Sequence, residues 1–212
     1  DVQRFVLFDS WISTILIGRS VATVAELCFA IQWAIFLGYF AHQHHSRIVG
    51  HISRLLVPTI VVAECFSWHA VIGADFFGNT VENAIWAIAF ASVGIALICL
   101  LQELRAVFRM LVWLAVCSIV FYVGFLIFVD VPMYFARWQH DVTVGKPVMG
   151  FLEGLYDAAT RWTPNRSVTE WFDEMVWMSL YFSAAVWSSL LLSRLSWLRR
   201  EFRPPSAFEQ SR

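Results

Sequence analysis

Five stretches of this 212-residue chain are apolar for long enough to cross a lipid bilayer: Val21–Ala41, Ile52–Gly73, Asn83–Leu101, Val107–Val129 and Glu174–Ser193. A hydrocarbon core of about 30 Å takes around 20 residues of helix. Within it every backbone N–H and C=O must find a partner inside the protein, which leaves helices or a closed barrel as the spanning structures. The alternation of barrel strands is missing, since residues 84 to 101 are continuously apolar apart from Ser92. The expected fold class is therefore all-α: a polytopic transmembrane helix bundle of about five spanning helices with interfacial amphipathic helices beside them. Composition agrees, with 59% apolar and 15% charged residues, where soluble domains carry about 25% charged.

A single integral membrane domain over residues 1–212 is expected. Arginines set its orientation, because short loops rich in basic residues stay on the cytoplasmic side or its matrix or stromal equivalent. Arg47 and Arg54 flank the first turn, Arg105 and Arg109 the third, and Arg199, Arg200 and Arg203 fall in a basic C-terminal tail, 195–212. The opposite side receives Asp75, Glu82 and a long loop, 130–172. The N-terminus is thus expected outside and the C-terminus on the cytoplasmic side. Residues 1–18, with Phe5, Phe8, Trp11, Ile12, Ile15 and Leu16, read as a short interfacial helix that ends before Arg19 turns the chain inward. One long tilted first helix is the alternative. A chain that opens on Asp1 also leaves room for a removed upstream segment.

Glu26 and Glu64 lie inside spanning stretches. A carboxylate at that depth costs several kcal/mol unless protonated, paired or hydrated, so each is a candidate functional residue, including as general acid or base. Residues three, four or seven apart share a helix face, which places Arg19, Thr23, Glu26, Ala30 and Trp33 on one stripe. Arg19 and Glu26 are about 10 Å apart along the axis, within reach of an arginine side chain. A purely structural ion pair is the competing reading. On the second helix Glu64 shares a stripe with Trp68, while His69 is rotated by about 140°. Arg19, Trp68, His69, Glu82, Asn83 and Trp177 fall at compatible depth and are the candidate ligand or lipid contacts. Glu82 and the cluster of Glu170, Asp173 and Glu174 also suit ordinary stabilisation of helix N-termini.

In the long loop, Phe151, Leu155 and Trp162 fall on one face of an amphipathic helix and are the candidate partner contacts. Pro132 is expected to end the fourth helix. Cys28, Cys65, Cys99 and Cys117 lack C-x-x-C spacing and read as small packing residues. The histidines His42, His44, His45 and His51 resemble no metal motif and read as a solvated turn, with opportunistic metal or pH-sensitive binding as the alternative. No metal and no cofactor is expected, though bound lipids are. There is no Walker A sequence, dinucleotide fingerprint, H-E-x-x-H or G-x-S-x-G, and nothing suited to nucleic acid.

Three functions fit. The first is an accessory subunit of a larger membrane assembly, such as a respiratory or photosynthetic electron-transport complex, with membrane lipids and other subunits as partners and no catalytic centre of its own. The second is an acid/base enzyme or binding protein for a lipid or sterol, and the third is proton- or ion-coupled transport.

Overall fold

A computed structural model describes residues 4–101 and 106–198. They form an all-α bundle. A two-residue strand β1 (Phe5–Val6) and a 3-10 turn (Trp11–Ser13) precede α1 (Ile15–Gln43). Next come α2 (Arg47–Gly73) and α3 (Phe76–Leu100). Helix α4 (Ala106–Phe125) runs through a π turn (Leu126–Asp130) into α5 (Val131–Thr143). Then follow α6 (Phe151–Thr160), β2 (Thr163–Pro164) and α7 (Val168–Leu180). A second π turn (Tyr181–Ala185) leads into α8 (Val186–Leu198).

Among the described residues four helices are long and apolar enough to cross a membrane: Ile15–Gln43, Arg47–Gly73, Phe76–Leu100 and Arg109–Thr143. The most apolar stretch of α2 is 44% buried and that of α3 50%, against 22% for α1 and for the Arg109–Thr143 run. Helices α2 and α3 are therefore the middle of the bundle, and α1 and α4 flank it. Helix α2 packs along both α1 and α3. Leu37 is fully buried on α1, Val49, Ile60 and Ala63 on α2, and Val93, Ala96 and Leu97 are buried on α3. The outward faces carry exposed Val24, Ile35, Leu55, Ile88, Ile95 and Leu114, the inverse of a water-soluble surface and suited to hydrocarbon.

The chain divides into two compact units, residues 1–170 and 171–212. Over its described residues the second is the remainder of α7, its π turn and α8. The expected fifth span, Glu174–Ser193, is thus helical but is not among the four apolar spans. Most of the expected basic tail, residues 199–212, lies outside the described residues, as does Arg105.

Two expectations about boundaries are corrected. Helix α1 begins at Ile15, so Arg19 lies within it, and residues 4–13 form a strand and a turn instead of an interfacial helix. The strand forms because Phe5 and Val6 pair in parallel with Thr163 and Pro164, which ties this segment to the one after α6. Pro132 also fails to end the fourth helix. It sits at the start of α5, directly after the π turn. A proline lacks the N–H for the ladder and crowds the carbonyl four residues back. The wider π turn shifts the local register there and lets the helix run on. The four cysteines are exposed on the bundle instead of packing within it.

Candidate functional site

Helix α1 starts, α2 ends and α3 starts at one end of the bundle, so Arg19, Glu64 and Glu82 lie at similar depth although 45 and 63 residues separate them from Arg19 along the chain. At 1.5 Å per residue, Glu82 is about 9 Å from the start of α3 and Glu64 about 14 Å from the end of α2. Gly78 sets how closely α2 and α3 approach. A Cβ there would stand 2.6 Å from the Phe66 carbonyl oxygen and 2.9 Å from the Ala70 nitrogen, so only glycine fits without moving a backbone. This close seam carries Glu82, four residues on, towards Glu64 and Ser67.

Arg19 stands among three carboxylates. Its Nη2 donates to Glu26 Oε2 at 2.8 Å and to Glu64 Oε2 at 2.6 Å, and its Nη1 lies 3.3 Å from Glu82 Oε1. All three glutamates are buried. Thr23 Oγ1 donates to Glu64 Oε2 at 2.6 Å and accepts from Trp68 Nε1 at 3.1 Å, so the indole orients the hydroxyl that orients the carboxylate. Asn79 Nδ2 reaches Glu82 Oε2 at 3.5 Å, the long end of the range. The carboxyl groups of Glu26 and Glu64 thus meet on the same Arg19 nitrogen, with an oxygen of each within 4.8 Å of the other. Two carboxylates take up that position only with a positive charge or a proton between them.

The charge balance is the main property of the site. At an effective dielectric near 20, unit charges about 4 Å apart interact by about 4 kcal/mol. One oxygen from each of the three glutamates lies within 4.8 Å of the others, so three mutual repulsions of about 3 kcal/mol or more each offset a large part of the attractions to Arg19. Burial adds a penalty of several kcal/mol per ion. Three carboxylates against one guanidinium are therefore not stable fully ionised, and the site needs further protons or a cation. The oxygens are the donor set of a hard cation, an arrangement the sequence reading, with no metal expected, does not contain. Arg19 already supplies one positive charge among them, which works against a second cation. Among the described residues, Glu64 Oε1 and the Ser67 hydroxyl find no hydrogen-bond partner.

Above the site, at the same end of the bundle, an outer layer closes over α1 and α2. Helix α6 packs on both, with Gly154 and Ala158 buried against them. A Cβ at Gly154 would fall 1.8 Å from the Ile72 carbonyl oxygen. The Arg4 side chain, 2% exposed, donates from Nη2 to the Val71 carbonyl and from Nε to Asp157 Oδ2 at 2.8 Å. Met149 N donates to the Gly73 carbonyl, and Trp162 Nε1 to Asp9 Oδ1.

Of the sequence-derived candidates, the fold brings together Arg19, Glu26, Glu64, Trp68 and Glu82. His69 is exposed on another face of α2, and Asn83 is half-buried one position past Glu82. Trp177 is in α7, and its side chain lies outside the described residues. Phe151 is exposed, Leu155 is half-buried, and Trp162 is half-buried with its indole on Asp9. Ser67, Asn79 and the anchoring role of Thr23 are additions. Each sits three or four residues from a member of the cluster, so helical spacing is the signal that marks them. Comparison with protein families, curated proteins and solved structures finds no match.

Proposed function

We propose that this membrane protein works by binding and releasing protons at the Arg19–Glu26–Glu64–Glu82 centre, as a proton-coupled protein of the bilayer. The observation that carries the reading is the Glu26 and Glu64 carboxyl pair, held on one nitrogen of a single guanidinium and joined by a third buried carboxylate, with one oxygen of each within 4.8 Å of the others. In this reading Arg19 is the fixed charge, Glu26 and Glu64 share a mobile proton, and Glu82 is the next acceptor. Thr23 and Trp68 keep Glu64 in place. The layer formed by α6 and the Arg4 segment limits water from the near end, so proton exchange depends on that layer opening. The same pair has the means to act as general acid and base on a lipid substrate, so the experiment must separate transport from turnover.

The test uses protein reconstituted in liposomes. Infrared difference spectra of the wild type should show the C=O stretch of a protonated carboxylic acid at neutral pH, and E26Q or E64Q should remove it. A membrane potential should drive proton uptake that both variants abolish. Unchanged spectra in E26Q, E64Q and E82Q, or a stoichiometric bound metal at the centre, would refute the reading. Proton binding without uptake, together with conversion of added lipid, would move the assignment to an acid/base enzyme.

A second reading has its own observation. Phe8, Trp11, Phe151, Leu152 and Tyr156 are all strongly exposed on the outer layer. Such a surface suits an accessory subunit that docks this layer on a neighbouring membrane protein. The arginine distribution supports placing this layer outside, with the α1–α2 turn on the cytoplasmic side.

A further inference from the structure

At the other end of the bundle, where α1 ends at Gln43 and α2 begins at Arg47, the two helices enclose an open crevice of about 340 Å³. His45, Ser46, Arg47, Gly50, His51 and Arg54 line it. The crevice exists because small residues bring the helices together beside it. A Cβ on Gly38 would meet Ser53 Oγ at 2.9 Å, and one on Gly50 would lie 3.8 Å from Ala41. Ser53 Oγ donates across to the Ala34 carbonyl at 2.8 Å and fixes the seam. Arg47 and Arg54 are seven residues apart, two turns along one face of α2, and both are exposed. Among the described residues neither makes an ion pair with a carboxylate. The N-terminus of a 27-residue helix adds backbone N–H groups and the positive end of its dipole at Arg47.

Two unpaired arginines, two imidazoles and a helix N-terminus around one concavity match a phosphate in charge and in hydrogen-bond donors. The position is also specific. The crevice lies at the ends of two membrane-length helices, the depth of lipid headgroups. We infer that this crevice is a binding site for a phosphate group, supplied by the headgroup of an anionic phospholipid whose acyl chains lie along the apolar exterior of α1 and α2. Exposed Ile48 and Leu55, on the α2 surface next to the arginines, begin that apolar path. The site is at the opposite end of the helices from the carboxylate centre and does not depend on how that centre works.

Native mass spectrometry of the purified protein, titrated with phosphatidylglycerol or phosphatidylcholine, tests it. The wild type should retain one phosphatidylglycerol in preference to phosphatidylcholine. A basic side chain near an anionic lipid surface contributes enough to change affinity roughly fivefold, so R47Q/R54Q should weaken retention by roughly 25-fold. R47K/R54K should keep most of it, and circular dichroism should find all three proteins equally helical. A parallel arm uses inorganic phosphate alone. Phosphate binding lost in R47Q/R54Q, without preference between the two lipids, keeps the phosphate site and assigns it to a soluble anion. Equal retention of both lipids by the wild type and R47Q/R54Q, with no phosphate binding, overturns the inference.

Discussion

Removing the one cation from the carboxylate centre is the most direct test of its electrostatics. Arg19→Gln keeps a hydrogen-bonding side chain of intermediate length but deletes the charge that faces Glu26, Glu64 and Glu82. Taking one partner from a buried ion pair costs about 3–5 kcal/mol, because the other charge stays buried and uncompensated. With about 2–4 °C per kcal/mol for a domain of this size, the melting temperature in detergent should fall by roughly 10 °C. Glu64→Gln should cost less than Arg19→Gln. It leaves Arg19 with Glu26 and Glu82, keeps an acceptor for Thr23 Oγ1, and removes two of the three mutual repulsions. The double variant should be more stable than the sum of the single effects predicts, with a coupling of about 1–3 kcal/mol. The assay is thermal unfolding followed by tryptophan fluorescence at one detergent and salt concentration. If Arg19→Gln melts with the wild type, or Glu64→Gln is the more damaging change, the three carboxylates are not held by Arg19 and the charge argument fails.

The outer layer gives two further tests. Gly154→Val places a side chain where the Ile72 carbonyl already stands, so α6 should lift from α2 at a cost of about 1–3 kcal/mol. Limited proteolysis within residues 144–167 should then become faster while the four long helices stay protected. Phe151→Ala with Leu152→Ala removes two exposed side chains without touching Gly154 or Ala158. The variant should insert and melt as the wild type does, within about 0.5 kcal/mol, and should lose co-purifying membrane partners if this layer is a docking surface. Full retention of the partners would remove α6 from the interface.

Helix existence and the positions of the buried acids were legible in the sequence because both follow from local rules. A run of about 20 apolar residues has few options in a bilayer, and helical periodicity alone puts Arg19, Thr23 and Glu26 on one stripe. What happens between helices is set by packing that no single helix encodes. Glu82 read both as a candidate contact and as an ordinary acid at a helix start, and it is the glycine seam at Gly78, bringing α3 against Phe66 and Ala70, that carries its carboxylate to Arg19. His69 and Asn83 have the right depth and the wrong angle, because depth depends on residue count and angle on which face a neighbour covers. The continuation of α4 past Pro132 required a π turn, a local change of register that the apolar pattern does not signal. Likewise the hydrophobic repeat of α6 was visible, but its seat was not: the helix docks through Gly154 and Ala158, where the small side chains let backbones meet, and leaves Phe151, Leu152 and Tyr156 outside. Apolar run length and helical periodicity are enough to say which segments are helices and which charges they bury. Which of those charges meet is a matter of packing, because interhelical distance depends on where small residues on two different helices coincide.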